Sequence, residues 1–182
     1  MMGAMTVTAD PTTDLAVGRV STPVGMLHLV VSGAGLMAVS WSGVRPAVTR
    51  LGLPVVFDPD RVRPVVERIT AYVGGDRTAL DQIPIDWRLT SGVTRTVLQT
   101  LHRQVPFGST ITYGDLGAAS GTDVPARGVG GIMGANPIPV VVPCHRVLAH
   151  DGLGGYSGGI GDGLEAKRQL LAHEGVLPPT LY

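Results

Sequence analysis

Ile138-Pro139-Val140-Val141-Val142 runs directly into Pro143-Cys144-His145-Arg146, and Cys144 is the only cysteine in the chain. A lone thiol cannot form an intrachain disulfide, and one Cys beside one His cannot ligate a structural zinc. The fold must therefore rest on its apolar core. With 44% hydrophobic content in 182 residues, there is material for one medium domain or two small ones. The apolar run reads as a buried strand ending at a turn. The thiol is then kept either for packing, as a small buried hydrophobe, or for chemistry.

Residues 25–31 and 36–41 are β-type runs separated by Ser32-Gly33-Ala34-Gly35, a hairpin signature. Val62, Val65, Val66, Ile69 and Val73 follow helical spacing over 60–73, and Gly74-Gly75 stops that helix. Residues 83–87 read as a further strand, and 81–90 as the connection to a second unit. From Ser91, a candidate N-cap, Val93, Val97, Leu98 and Leu101 share one helical face, which Pro106-Phe107-Gly108 closes. Thr112-Tyr113-Gly114-Asp115 fits a capping box and opens a short helix to about Ser120. Gly121 ends it, and Asp123 is placed to cap a second helix over 124–135. Two short helices about such a turn form either a helix-turn-helix or an ordinary helical hairpin. Asp162-Gly163-Leu164-Glu165 is another capping box, ahead of a helix carrying Leu164, Lys167, Leu170 and Leu171 and ending at Gly175. The expected class is α/β: a mobile tail over 1–14, a small N-terminal sheet-plus-helix domain over 15–87, and a mostly helical C-terminal domain with a helix-turn-helix over 88–182.

Formal net charge is zero, which on its face argues against nucleic acid as a partner. The distribution is less hostile. Residues 88–150 carry five arginines against Asp115 and Asp123, a net +3, whereas residues 1–87 carry −1. Weak, salt-sensitive binding to DNA is expected from such a skew. No apolar run approaches the ~18 residues of a membrane span. Residues 1–13 lack a basic start followed by an apolar block, so no signal peptide is read. A single cysteine without an export signal places the protein in the reducing cytoplasm.

The second of the paired helices is unusual. Gly128, Gly130, Gly131 and Gly134 would each cost about 1 kcal/mol relative to Ala in a helix. Such a helix lets another backbone approach closely, from protein or from nucleic acid, and Arg127 is its one charged group. Tight helix packing with a solvated Arg127 is the plainer alternative. Glu174, at the end of the last helix, is either a solvated terminal carboxylate or a buried one, and spacing leaves both open.

The order Asn136-Pro137, apolar run, Pro143-Cys144-His145-Arg146-Val147, Gly155-Tyr156-Ser157-Gly158-Gly159, then a helix with Lys167 and Glu174, closely resembles the O6-alkylguanine-DNA alkyltransferases. The resemblance is dense over 93–175. It continues more thinly over 19–41, where Ser21-Thr22-Pro23-Val24-Gly25 is similar to the family's first hairpin. It implies direct reversal of DNA alkylation, moving an alkyl group from O6-alkylguanine, and with it O4-alkylthymine as a second candidate, to Cys144 in a single self-inactivating turnover. By the same resemblance His145 acts through a water as base for the thiol, and Glu174 orients it. Tyr113, Ser157 and the carbonyls of Cys144 and Val147 contact the flipped base. The helix with Arg127, Gly130 and Gly131 enters the minor groove of double-stranded DNA, with Arg127 filling the gap in the stack. Asn136 is the hinge between that helix and the active-site segment. The implied protein is a monomer without cofactor or metal. A thiolate is required because a free thiol is mostly protonated at neutral pH. The glycine pairs at 154–155 and 158–159 let the loop close over the base.

Arg146, beside a buried segment end, is expected to satisfy internal acids or carbonyls rather than phosphate. Two other classes remain as alternatives: a lesion-binding module, disfavoured by the presence of Cys144, and a cysteine hydrolase, which would turn over. The chain departs from the family where Val93 and Gln99 replace common aromatics. It also departs over 159–164, about three residues longer than usual, and it lacks a cysteine-rich N-terminal metal site.

Overall fold

The computed structural model describes residues 13–159 and 163–178. Of the expected tail over 1–14, residues 1–12 lie outside them, as do the cap at Asp162 and residues 160–162 of the longer 159–164 segment, while Asp14 is held by Arg61 at 2.6 Å. Strands β1 (Leu15–Thr22), β2 (Gly25–Ser32) and β3 (Gly35–Ser40) form an antiparallel meander. Helix α1 (Arg45–Leu51) follows, then β4 (Val55–Val56), which pairs parallel to β1 and completes the order β3-β2-β1-β4. Helix α2 (Pro59–Val73) packs across one face, against Ala16, Val20, Leu27, Leu29 and Val31. Leu15, Val30 and Met37 point to the other face, under Val44, Val48 and Leu51 of the α1 region. Because side chains alternate along a strand, burial on both faces needs an almost unbroken apolar β2, and Leu29-Val30-Val31 supplies it. Gly18 lets α2 lie flat on β1, since a Cβ there would fall 2.3 Å from a methyl of Val62.

The expected helix over 60–73 is present, with Asp58 accepting from the Arg61 amide at its start. The expected strand over 83–87 is not. Only Leu36 and Ile85 bridge, while Pro84 has no N–H to continue a ladder. Asp86 is drawn inward by the Ser32 hydroxyl at 2.6 Å, and its carboxylate accepts from the Arg88 amide to start the 3-10 turn Trp87–Leu89.

The second half comprises α3 (Gly92–Gln104), β5 (Ile111–Thr112), α4 (Tyr113–Ala119), α5 (Ala126–Gly134), β6 (Val147–Leu148) and α6 (Gly163–His173), with β5 and β6 paired parallel. On α3, Val97, Leu98 and Leu101 are buried, but Val93 is 46% exposed and Ser91 makes no capping bond. Thr112 caps α4 as its motif predicts, accepting from the Asp115 amide at 3.1 Å. Asp123 does not cap α5. Pro125 occupies that position, and a residue before proline is pushed out of helical geometry, so the helix starts only at Ala126.

The expected strand over 138–142 is a buried turn instead. Val142 donates to the Ile138 carbonyl at 2.8 Å, and Val140 has φ of 73°. Prolines at 137, 139 and 143 remove the donors that a strand would need, while Ile138, Val140, Val141 and Val142 remain buried. A single apolar cluster runs from the sheet through α2 and α3 to this turn and to Leu170 of α6.

Candidate active site

Cys144 opens one 3-10 turn, Cys144–Arg146, between the buried turn and β6. Cys144 is only 6% exposed and lines a cleft of about 1160 Å³ between the end of β3, helices α4 and α5, and the loop at 155–159. Burial pushes the thiol pKa up. The Asn136 amide, the Lys167 ammonium and the Tyr156 hydroxyl act in the opposite direction. The cysteine therefore sits among groups that favour its thiolate, against a medium that opposes any charge.

His145 is fully buried, and its Nε2 lies 2.8 Å from Glu174 Oε1. Burial lowers the imidazole pKa, with Glu174 working against that shift, so the neutral ring is the resting form at neutral pH. The carboxylate accepts the Nε2 proton, which leaves Nδ1 as the lone-pair nitrogen. Nδ1 has no hydrogen-bond partner among the described residues. The arrangement is a neutral imidazole whose tautomer is set by an acid on its far side.

Glu174 is buried, not solvated. Arg146 grips it with Nε to Oε2 at 2.8 Å and a terminal nitrogen to Oε1 at 2.9 Å, and its other terminal nitrogen donates to the Val105 carbonyl at 2.7 Å. Tyr72, from α2, donates its hydroxyl to Oε1 at 2.8 Å. Burial alone would raise the Glu174 pKa, but His145 and Arg146 overcome it and hold the carboxyl well below the usual range. Arg146 is thus an internal group, as expected.

Asn136 follows α5 and accepts from the Ile138 amide while donating to the Val142 carbonyl at 2.8 Å, so it ties that helix to the segment before Cys144. Tyr113, first residue of α4, donates to the Gly155 carbonyl at 3.2 Å. Gly154, at φ 69°, makes room for that ring: a Cβ there would lie 2.8 Å from it. Ser157 is exposed on the cleft rim. The Val147 carbonyl already accepts from Lys167 at 2.7 Å, and the Cys144 carbonyl from the Val147 amide, each oxygen keeping a second lone pair. Arg127 is exposed at the cleft beside Gly130. Gly131 and Gly134 face open space, so the glycines there are not used for packing against protein.

Four residues at the site were given no role in the sequence reading. Trp41 and Tyr72 come from the first half, where spacing carries no hint of a contact so distant in sequence. Tyr156 lines the same cleft as the thiol, with a buried hydroxyl that has no hydrogen-bond partner among the described residues. Lys167 is fully buried, bonded to the carbonyls of Val147, Leu153 and Gly155, with its pKa lowered to about 8 by burial. A lysine within the apolar stripe Leu164, Leu170, Leu171 was the legible sign of that role. Among the described residues, no group of three or more His, Cys, Asp or Glu is placed to hold a metal ion.

Residues 93–176 match the family described as 6-O-methylguanine DNA methyltransferase, DNA binding domain. A Salmonella typhimurium methylated-DNA–protein-cysteine methyltransferase is 34% identical over 171 residues, covering 87% of this chain and 95% of that protein. The chain belongs to the methylated-DNA–protein-cysteine methyltransferase family. The mouse protein of that name is 50% identical over 84 residues, 46% of this chain, and the match spans only 38% of the mouse protein. A crystal structure of Mycobacterium tuberculosis OGT in complex with DNA has a TM-score of 0.69 at 28% identity, covering 90% of this chain and 95% of that one. Within this methyltransferase family, the α/β fold with an N-terminal sheet and a helical second half is as expected.

Proposed function

We propose that this protein repairs DNA by moving the alkyl group of O6-alkylguanine onto Cys144, once per molecule. The observation that carries the reading is a buried thiol next to a histidine whose Nε2 is committed to Glu174. In the step, the Cys144 proton passes to His145, directly or through a water. The Sγ–C bond forms as the C–O6 bond breaks, and the leaving guanine takes up the proton that His145 received, which returns the imidazole to its neutral form. The thioether product does not hydrolyse, so the protein is consumed.

DNA is the partner, and the target base must leave the duplex to reach a buried sulfur. Tyr113, Ser157 and the second lone pairs of the Cys144 and Val147 carbonyls are suited to the edges of that base. Helix α5, bare at Gly131 and Gly134 and bearing Arg127, fits the minor groove, with Arg127 entering the stack. The protein acts as a monomer in the cytoplasm. Among the described residues, no helix is long and apolar enough to cross a membrane. The test is to mix the protein with duplex DNA holding one radiolabelled O6-methylguanine. One label per chain should transfer to protein and then stop. Release of label into solution with continuing turnover would instead mark a hydrolase.

A further inference from the structure

We infer that Tyr72 is a positioning residue of the transfer reaction, which shares Glu174 Oε1 with His145 and thereby keeps the Cys144–His145 pair neutral at rest. The inference rests on the alkyl-transfer reading and adds to it a control on the thiol. Tyr72 comes from α2, in the first half of the chain, and does not line the cleft. It is 2% exposed, and its ring is fixed from two sides. Phe107 meets it edge to face with centroids 5.9 Å apart, and His173 does so at 5.0 Å. The Nε2 of His173 also lies 2.8 Å from the Tyr72 carbonyl. Among the described residues, the hydroxyl so placed has one acceptor, Glu174 Oε1 at 2.8 Å. Burial and the Glu174 charge push the phenol pKa up, so it stays a donor.

Oε1 takes three donors: Tyr72 and His145 Nε2 at 2.8 Å each, and an Arg146 nitrogen at 2.9 Å. Oε2 takes the Arg146 Nε at 2.8 Å and the Gly108 amide at 3.4 Å. A carboxylate oxygen offers about two lone-pair directions, so the three donors on Oε1 compete. Arg146 spans both oxygens and holds the carboxylate in place without Tyr72. What Tyr72 changes is therefore how much of the charge is left for others. A hydrogen bond to the ionised form of Glu174 weakens its pull on a neighbouring proton. When the Cys144 proton moves to His145, the imidazolium depends on that same oxygen. Arg146 and Lys167 are the cations bearing on His145, and both oppose its protonation, while Glu174 favours it. Tyr72 thus acts on the side of the cations, and the pair rests as thiol and neutral imidazole. A thiol used once gains from this, because the thiolate is the form that oxidants and stray alkylating agents consume.

The experiment follows methyl transfer from O6-methylguanine in duplex DNA, at saturating DNA, against pH. It compares wild type, Tyr72→Phe, a chain with 3-fluorotyrosine at position 72, Glu174→Gln, and Tyr72→Phe combined with Glu174→Gln. Iodoacetamide labelling of Cys144 without DNA reads the thiolate alongside. Tyr72→Phe should move the rising limb to lower pH by about half a unit to one unit, and speed labelling at pH 7 by about threefold to tenfold. The fluorinated phenol, more acidic and a stronger donor, should move the limb the other way. In the double variant the limb should sit where Glu174→Gln alone puts it, because Tyr72 acts through Glu174. A limb unmoved in Tyr72→Phe, whatever the overall rate, would reduce Tyr72 to a structural tie and overturn the inference. A limb moved to higher pH would overturn it too, by making Tyr72 a support of His145. Should Tyr72→Phe fail to fold, the fluorinated chain decides, since it keeps ring and hydroxyl, and an unmoved limb there overturns the inference. Failure of wild type to transfer methyl would strike the alkyl-transfer reading itself, before any comparison at position 72.

Discussion

Glu174 receives donors from His145, Arg146 and Tyr72, so replacing it acts on stability and on chemistry at once. Glu174→Gln keeps the shape but leaves the buried Arg146 guanidinium without a counter-charge. Breaking a buried ion pair in this way costs about 3–5 kcal/mol, which thermal unfolding at pH 7 should register. The sign of the pH dependence follows from the depressed carboxyl. Its stabilisation is complete above its ordinary value of 4.5 and is lost as pH falls through the lower folded value. Wild-type Tm should therefore fall in acid more steeply than that of Glu174→Gln. On the chemical side, His145 loses the partner that supports its basicity. The rising limb of transfer rate against pH should move to higher pH, with a loss of about 10²–10⁴-fold at neutral pH. An unchanged profile would reduce Glu174 to a structural anchor. At this scale Cys144 and His145 were legible because they are adjacent in sequence. Tyr72 was not, since it meets Glu174 across 102 residues and nothing in local spacing encodes that pairing.

Among the elements, α5 holds the clearest conflict between local stability and use. Gly131 faces open space, and Gly in a helix interior costs about 1 kcal/mol relative to the best helix formers. Gly131→Leu should raise Tm, or at least hold it, while weakening duplex binding in a salt-controlled binding assay. Binding that is undiminished would mean that DNA meets another face. Arg127→Ala should slow repair of lesions in duplexes yet barely affect reaction with free O6-benzylguanine, where no base has to be flipped. Equal losses on both would move Arg127 into the pocket or the fold. Helices were well legible in the sequence, because their caps and apolar spacing are local: α2, α3 and α4 all lie where the pattern put them. The errors fell at prolines. Pro125 displaced the start of α5 from Asp123. The prolines at 137, 139 and 143 turned an apolar run into a coil, though its burial was foreseen.

Across the whole molecule, one apolar cluster joins the sheet and α2 to α3, the Cys144 turn and α6. The Val39–Pro137 backbone bond and the Tyr72–Glu174 bond cross the same junction. Differential scanning calorimetry should show one cooperative transition, whereas two resolved transitions would mean that the halves unfold independently. Tyr72→Phe should lower that transition by the loss of about 1.5–3 kcal/mol, the contribution of a hydrogen bond to a charged group. The change to helical periodicity from Ser91 was visible in the sequence, and α3 starts there. How the halves share the site was not, because it depends on long-range contacts such as Trp41 over the cleft.

The central claim is that Cys144 itself takes the alkyl group and keeps it. Intact mass spectrometry of the protein mixed with excess duplex containing O6-methylguanine, followed by peptide mapping, tests this most directly. The account predicts a gain of one methyl group per chain, located on Cys144, that persists and goes no further, and no gain in Cys144→Ser. A methyl group on another residue, or an unmodified protein that goes on consuming lesions, would contradict it.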